Sequence, residues 1–278
     1  MISENKVSTH YANSKLTQAI KKGLASLGLD ENSVTINDLA PVDEFHIGGR
    51  EGTKIFMEKL DISSASKVLD VGCGIGGACR FAVENYGCSV IGVDLTNDYV
   101  ATGENLNKWV GLDNKIKLLQ GSALDMPFGE QEFDIAYMMH VGMNIADKTK
   151  LMHGVYKVLK PNGLFGIYDI MQVADGSINY PVPWAAIAET SALATPQEYK
   201  TALTSAGFTV LSEVNKSDFG NQFFENMTTK IKKNGGPLPL GLHLVMGPTV
   251  KEKIANVWSH IKTGVLAPVE IIGRKQEA

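Results

Sequence analysis

The chain has 278 residues, 44% of them hydrophobic, and a formal net charge of -4. That length can bury a sizeable core without disulfide or metal staples, and the charge offers no general attraction to nucleic acid or to an anionic membrane. Arginine occurs only as Arg50, Arg80 and Arg274, so no cluster is available to read phosphates bidentately.

The opening residues "MISENKVSTHYANSK" lack the basic segment and apolar run of a secretory signal, and no stretch approaches the roughly 18 apolar residues of a membrane span. Cys73, Cys79 and Cys88 do not have the paired spacing of zinc ligands. They read as reduced packing residues, and the expectation is a cytoplasmic protein without a metal.

In chain order, residues 1–60 predict an N-terminal helical lid segment. It holds a helix over "SKLTQAIKKGLASLG" ending at Gly28, the octet "DEFHIGGR" (43–50), and a second helix over "REGTKIFMEKL". From residue 67, short β-branched runs alternate with helical patterns, as in a parallel sheet covered on both faces. Strands are expected at 67–72, 88–94, 115–121, 133–139 and 163–171, with helices over 77–87, 97–110 and 147–159 between them. "KPNG" before the fifth strand reads as a turn. A Pro-, Gly- and Ala-rich loop at 172–196 precedes a strand over "GFTVLSEV". A helical insert at 217–262 then separates it from the last strand, within 263–278. Segments this long outside a core usually carry function.

"DVGCGIGG" lies where a strand turns into a helix, the place at which a doubly wound sheet meets a nucleotide-type cofactor. Gly72, Gly74 and Gly77 satisfy G-x-G-x-x-G and Asp94 closes the next strand, which by itself allows NAD or S-adenosylmethionine. Asp70 bears on the choice. A carboxylate beside the helix N-terminus repels a pyrophosphate, whereas a sulfonium and an ammonium are stabilised by it. Asp94 suits ribose hydroxyls in either case. "GSALDMPF" (121–128) offers backbone groups and an apolar wall for an adenine, and "FDIAYMMH" brings His140 to the carboxyl edge of the fourth strand.

"VLDVGCGIGGACR", "VIGVDLT", "GSALDMPF", "FDIAYMMHVGMNI" and "VLKPNGLFGIYDIM" resemble, in order and spacing, the core motifs of class I S-adenosylmethionine-dependent methyltransferases. The resemblance covers roughly residues 60–215. It implies a doubly wound, seven-stranded, mostly parallel Rossmann-like sheet with an antiparallel last strand. It also implies cofactor contacts at Asp70, Gly72, Gly74, Asp94, Leu95, Ser122, Ala123 and His140. "DEFHIGGREGT" and the C-terminal segment look like the sarcosine/dimethylglycine and phosphoethanolamine N-methyltransferases. That narrower likeness places Phe45 and His46 over the cofactor and matches Tyr11 to a tyrosine that closes the active site. Ser122 stands where the group has an acidic adenine contact, and Asn144 where the phosphoethanolamine enzymes have a histidine paired with that tyrosine.

Methyl transfer is an in-line displacement whose catalysis comes largely from positioning, and an amine nucleophile must be neutral. His140 is the candidate base, with Tyr11 and Asn144 beside it, and His46 reads more as a cofactor and lid contact. Trp184 offers an aromatic face to a cation, Glu189 and Asp169 possible counter-charges, and Arg50 an anchor for a carboxylate. The expected activity is methylation of a small molecule at an amine nitrogen of the glycine, sarcosine or dimethylglycine type. Oxygen, sulfur or carbon of a natural product is the alternative. A NAD-dependent dehydrogenase and a non-catalytic S-adenosylmethionine-binding module are more distant readings. A monomer or homodimer is expected.

Overall fold

The computed structural model describes residues 3–277. The N-terminal segment forms α1 (Glu4–Tyr11), α2 (Leu16–Ser26), α3 (Ile36–Asp43) and α4 (Gly49–Met57). Two of these, α1 and α3, were not expected. The α3 start is nonetheless a full capping box, in which Thr35 and Asp38 exchange side-chain and backbone hydrogen bonds. Its internal Pro41 disguises the helical pattern.

The core alternates β1 (Lys67–Val71), α5 (Gly77–Tyr86), β2 (Ser89–Asp94), α6 (Asn97–Trp109), β3 (Ile116–Gln120), β4 (Phe133–Met139), α7 (Lys148–Val158) and β5 (Leu159–Gln172). There follow α8 (Pro196–Ser205), β6 (Phe208–Asn215), α9 (Ser217–Lys233), α10 (His243–Met246), α11 (Val250–Lys262) and β7 (Leu266–Lys275). The seven strands lie in the order β3-β2-β1-β4-β5-β7-β6, and β7 alone runs antiparallel to its neighbours. This is the expected sheet. β1 is buried at Val68, Leu69, Asp70 and Val71 because helices cover both faces, which explains an apolar run interrupted only by Asp70. One boundary differs. β5 begins at Leu159, and the "KPNG" turn is an excursion inside it: Phe133 pairs with Leu159 and the next pairing is Ile135 with Leu164. Asn162, at φ 64°, supplies the left-handed residue of that excursion.

The chain reverses its strand order at β1, which has β2 on one side and β4 on the other. A crevice therefore opens beyond the carboxyl ends of β1, β2 and β4, at the switch point where such sheets bind ligands. The N-terminal helices close over it. Buried Arg80 of α5 grips Asp43 at the end of α3 through Nε at 3.1 Å and Nη2 at 2.7 Å, and also donates to Ile75 O in the glycine loop. Tyr168 of β5 donates to Ile47 O at 3.0 Å, so the octet is fastened at both ends. No helix among the described residues is long and apolar enough to cross a membrane.

Candidate active site

After β1 the backbone turns sharply. Gly72 and Gly74 take φ of 81° and 54°, and the amides of Gly72 and Cys73 both donate to Val93 O. Side chains are excluded for steric reasons as well. A Cβ on Gly72 would come within 2.4 Å of Val141, and one on Gly74 within 2.8 Å of Phe45. Asp94, ending β2, is held by the amides of Gly74 at 2.9 Å and Thr96 at 2.8 Å. Each carboxylate oxygen accepts one bond and keeps a lone pair for a ligand. Burial raises its pKa, and these amides offset part of the rise. Asp70 is less well served. It is 3% exposed, and burial pushes its pKa up to about 7, offset in part by the weak Cys79 thiol donor at 3.2 Å and by the Tyr137 hydroxyl.

These groups line a cavity of about 340 Å³, with Leu95, Ala123, Leu124 and Asn144 among its other walls. A smaller chamber of about 60 Å³ adjoins it, and Tyr11, Phe45, His46, Tyr99 and His140 line both. His140 follows β4 in a left-handed conformation, φ 57°, fixed by its amide bond to Tyr168 O at 2.7 Å. Its Nε2 is buried without a hydrogen-bond partner, and so is the hydroxyl of Tyr99. Such orphans cost about 1–3 kcal/mol each, so a pair of them at the mouth between two cavities is a ligand's place. Burial holds the His140 pKa well below its ordinary value and His46 at about 4, so both rings are neutral near pH 7. The tautomer of His46 follows from its partners. Thr53 Oγ1 gives its proton to Glu44 at 2.7 Å, so at His46, 2.9 Å away, it accepts. Nε2 therefore carries the hydrogen, shared with Gly49 O at 3.1 Å, and Nδ1 is the free acceptor.

Residues 69–167 match the family profile of the methyltransferase domain. The phosphoethanolamine N-methyltransferase of Plasmodium falciparum is 31% identical over 182 residues, 64% of this chain and 66% of that one. The glycine/sarcosine/dimethylglycine N-methyltransferase of Actinopolyspora halophila is 30% identical over 149 residues, 54% of this chain and 26% of that one. The chain thus spans about two thirds of one relative's length and a quarter of the other's. The chain belongs to the S-adenosylmethionine-dependent methyltransferases. The structure of phosphoethanolamine N-methyltransferase 2 of Haemonchus contortus with S-adenosylmethionine shares the fold at a TM-score of 0.73 and 16% identity. That match covers 100% of this chain and 61% of that one.

The donor set of this methyltransferase fits the family's sulfonium cofactor. Buried Asp70 and half-buried Asp94 line the larger cavity, and the lysine on its wall, Lys150, is solvent-exposed. A pyrophosphate would meet repulsion there; a cation relieves the cost of burying the acids.

Of the expected residues, Tyr11, Phe45, His46, Asp70, Gly72, Gly74, Asp94, Leu95, Ala123, His140 and Asn144 line the larger cavity, and Trp184 lines the chamber. Tyr11 and Asn144 meet at 3.3–3.5 Å, a weak contact. Four expected residues are elsewhere. Ser122 turns its hydroxyl to the Leu124 amide and the Glu4 carboxylate, leaving Gly121 and Ala123 on the wall. Asp169 faces away from the cavities and accepts from Tyr199 at 2.6 Å. Glu189 is exposed on the surface. Arg50 pairs with Glu84, donates to Ile36 O and stacks over Phe81.

Sequence reasoning missed Tyr99 and the C-terminal half of the chamber, which comes from α9, α10 and α11 through Phe223, Phe224, Val245 and Val257. An aromatic five residues after the acidic end of β2 was a usable signal for Tyr99. Nothing local marks the others.

Proposed function

We propose that the chain transfers a methyl group from S-adenosylmethionine to the nitrogen of a small amine. The observation that carries the reading is the junction itself: two orphaned polar atoms, His140 Nε2 and Tyr99 Oη, between an acid-lined cavity and a small chamber. The named activities of the two curated relatives, both N-methyltransferases, support nitrogen as the acceptor atom.

Asp70 would hold the cationic end of the cofactor and Asp94 its ribose hydroxyls. The Ala123 backbone with Leu95 and Leu124 would hold its adenine, while Gly72 and Gly74 give the close backbone approach. When bound, the cofactor supplies an electrophilic methyl carbon on a sulfonium. Phe45 and His46, on a lid tied down by Arg80 and Tyr168, keep water out. Neutral His140, with Nε2 unpartnered, accepts a hydrogen bond from the amine and then its proton. Tyr11 and Asn144 bound the same space from the lid and from the turn after β4.

The same proposal has a cytoplasmic monomer or homodimer acting on a small molecule, without nucleic acid or membrane as partner; the net charge of -4 and the three free cysteines support it. Calorimetry with S-adenosylhomocysteine and with NAD tests the cofactor, and mass spectrometry of an amine panel tests the transfer. Binding of NAD without S-adenosylhomocysteine would refute the proposal.

A further inference from the structure

The chamber beyond the junction is walled by hydrocarbon. Met143, Ile170, Trp184, Phe223, Phe224 and Val257 line it, from the turn after β4, from β5, the loop after it, and the helical insert. Apart from Tyr99 Oη and His140 Nε2 at the junction, its polar groups are few and mostly committed. His10 Nε2 is bonded to Pro183 O at 3.2 Å, and the Trp184 indole donates to Ser191 Oγ at 2.9 Å. His46 gives its Nε2 hydrogen to Gly49 O and Thr53. Among the described residues no carboxylate and no arginine lines this chamber.

One charged side chain is present. Lys253, 7% exposed, donates to Met246 O at 3.0 Å. It is a like charge to an ammonium, and its ammonium already has a backbone partner. An acceptor that carries a carboxylate and an ammonium together, or a phosphate ester, would be stripped of water here with one counter-charge at most. The aromatic walls do not rescue a permanent cation, because a cation–π contact returns less than burial of the ion costs. A hydrocarbon body, by contrast, gains from each apolar atom removed from water.

Resting on the methyltransferase reading above, we infer that the acceptor is a net-uncharged molecule with a hydrocarbon body, presenting one neutral nucleophile to His140 Nε2 and Tyr99 Oη. An apolar amine enters as the free base, and amino acids and phosphate monoesters are excluded. The selection lies in the chamber walls: an environment without carboxylates favours the neutral amine, which is the form with a nucleophilic lone pair. A phenol shares this chemistry and differs only in the atom presented.

The test uses the full chain. S-adenosylhomocysteine is titrated first, alone, so that failure of the cofactor reading registers separately. Benzylamine, 4-methylphenol, sarcosine and phosphoethanolamine are then titrated with and without it, followed by calorimetry and tryptophan fluorescence. Benzylamine is expected to bind at least roughly tenfold more tightly than sarcosine or phosphoethanolamine. With S-adenosylmethionine it should give N-methylbenzylamine at a rate that rises with pH as the free base accumulates. Methylation of 4-methylphenol in its place would retain the uncharged apolar acceptor and move the acceptor atom to oxygen. Lys253→Met, which removes the chamber's charge, should tighten benzylamine binding by about two- to tenfold. Equal or tighter binding of sarcosine or phosphoethanolamine, loss of benzylamine binding in Lys253→Met, or binding of none of the four would overturn the inference.

Discussion

Replacing Asp70 by Asn should stabilise the protein and weaken its hold on the cofactor, with both effects tied to pH. Asp70 is buried, accepts one thiol hydrogen bond and has Asp94 and Glu44 near it, so its pKa rises from 3.8 to about 7. The folded state therefore binds this proton more tightly than the unfolded one. Below about pH 4 the group is protonated in both states and costs nothing. As pH rises the unfolded chain ionises first, and stability falls until the folded carboxyl ionises near pH 7. At about 1.4 kcal/mol per pH unit, the penalty above pH 7 is about 4 kcal/mol. Asn removes the charge but brings an amide that needs its own partners, so a gain of about 1–4 kcal/mol is expected at pH 8. For a chain of this size that is a rise of about 2–7 °C in melting temperature, fading to nothing near pH 4. S-adenosylmethionine binding should move the other way, with at least a roughly tenfold loss of affinity at pH 8. Calorimetric melts at pH 4, 6 and 8, with titrations of S-adenosylmethionine and S-adenosylhomocysteine, read both. Equal losses for the two ligands would put Asp70 against the ammonium, and a larger loss for the first would put it against the sulfonium. A variant that melts at or below the wild type at pH 8, with unchanged affinity, would refute the reasoning.

Three further outcomes follow from the same geometry. Asp94→Ala leaves the Gly74 and Thr96 amides without an acceptor, and should raise the S-adenosylhomocysteine dissociation constant about ten- to a hundredfold by calorimetry. Arg80→Met strands the buried Asp43 carboxylate and should cost about 3–5 kcal/mol in urea denaturation; a loss under 1 kcal/mol would mean that the pair does not secure the lid. Tyr11→Phe removes only contacts of 3.3–3.5 Å, so kcat/KM should fall less than about tenfold, and near-complete inactivation would make Tyr11 an acid or base.

The cofactor half of the site was legible because its chemistry is written locally. The glycines, Asp70 and Asp94 sit within two strand ends of one another, and backbone geometry requires their types. The strands around them follow a period that the apolar pattern reveals. The acceptor half was legible only as segments, the loop at 172–196 and the insert at 217–262 expected to close over the substrate; its individual wall residues were not, since α9, α10 and α11 meet β5 only in the folded chain. Asp169 shows how the error arises. A strand alternates faces, so Tyr168 packs against His140 and Ile170 lines the chamber, while Asp169 between them points across the sheet to Tyr199 of α8. Asp169 also lies inside β5, which runs on to Gln172, and one residue of parity turns it to the other face. Arg50 and Glu189 differ from it: Arg50 is satisfied at the surface by Glu84 and Ile36 O, and Glu189 lies exposed away from both spaces.

Hydrogen-bond completeness separates these polar residues better than burial does. Arg80 is fully buried and satisfied by Asp43, Ile75 O and Asn107; Lys148 donates to Ile145 O and Ala192 O; Asp169 has the Tyr199 hydroxyl. Each holds the scaffold together, and none lines the cavity and chamber apart from Asp43 at a rim. Asp70 and Tyr99 are as deeply placed and His140 is half-buried with its Nε2 covered, yet Asp70 has only thiol and phenol neighbours while Tyr99 Oη and His140 Nε2 have no partner. A fold that completes its polar bonds in one place and leaves them open in another keeps the open ones for a molecule that arrives later. Of the four buried atoms left without a partner among the described residues, Tyr99 Oη and His140 Nε2 stand at the mouth of the larger cavity, while Asn221 Oδ1 and Trp258 Nε1 belong to the helical insert and line neither space. The acids face the larger cavity, and the chamber beyond offers mostly hydrocarbon. On the proposed reading that division sorts the two substrates by charge: the cationic one would have its carboxylates, and the one to be methylated would be met by neutral groups.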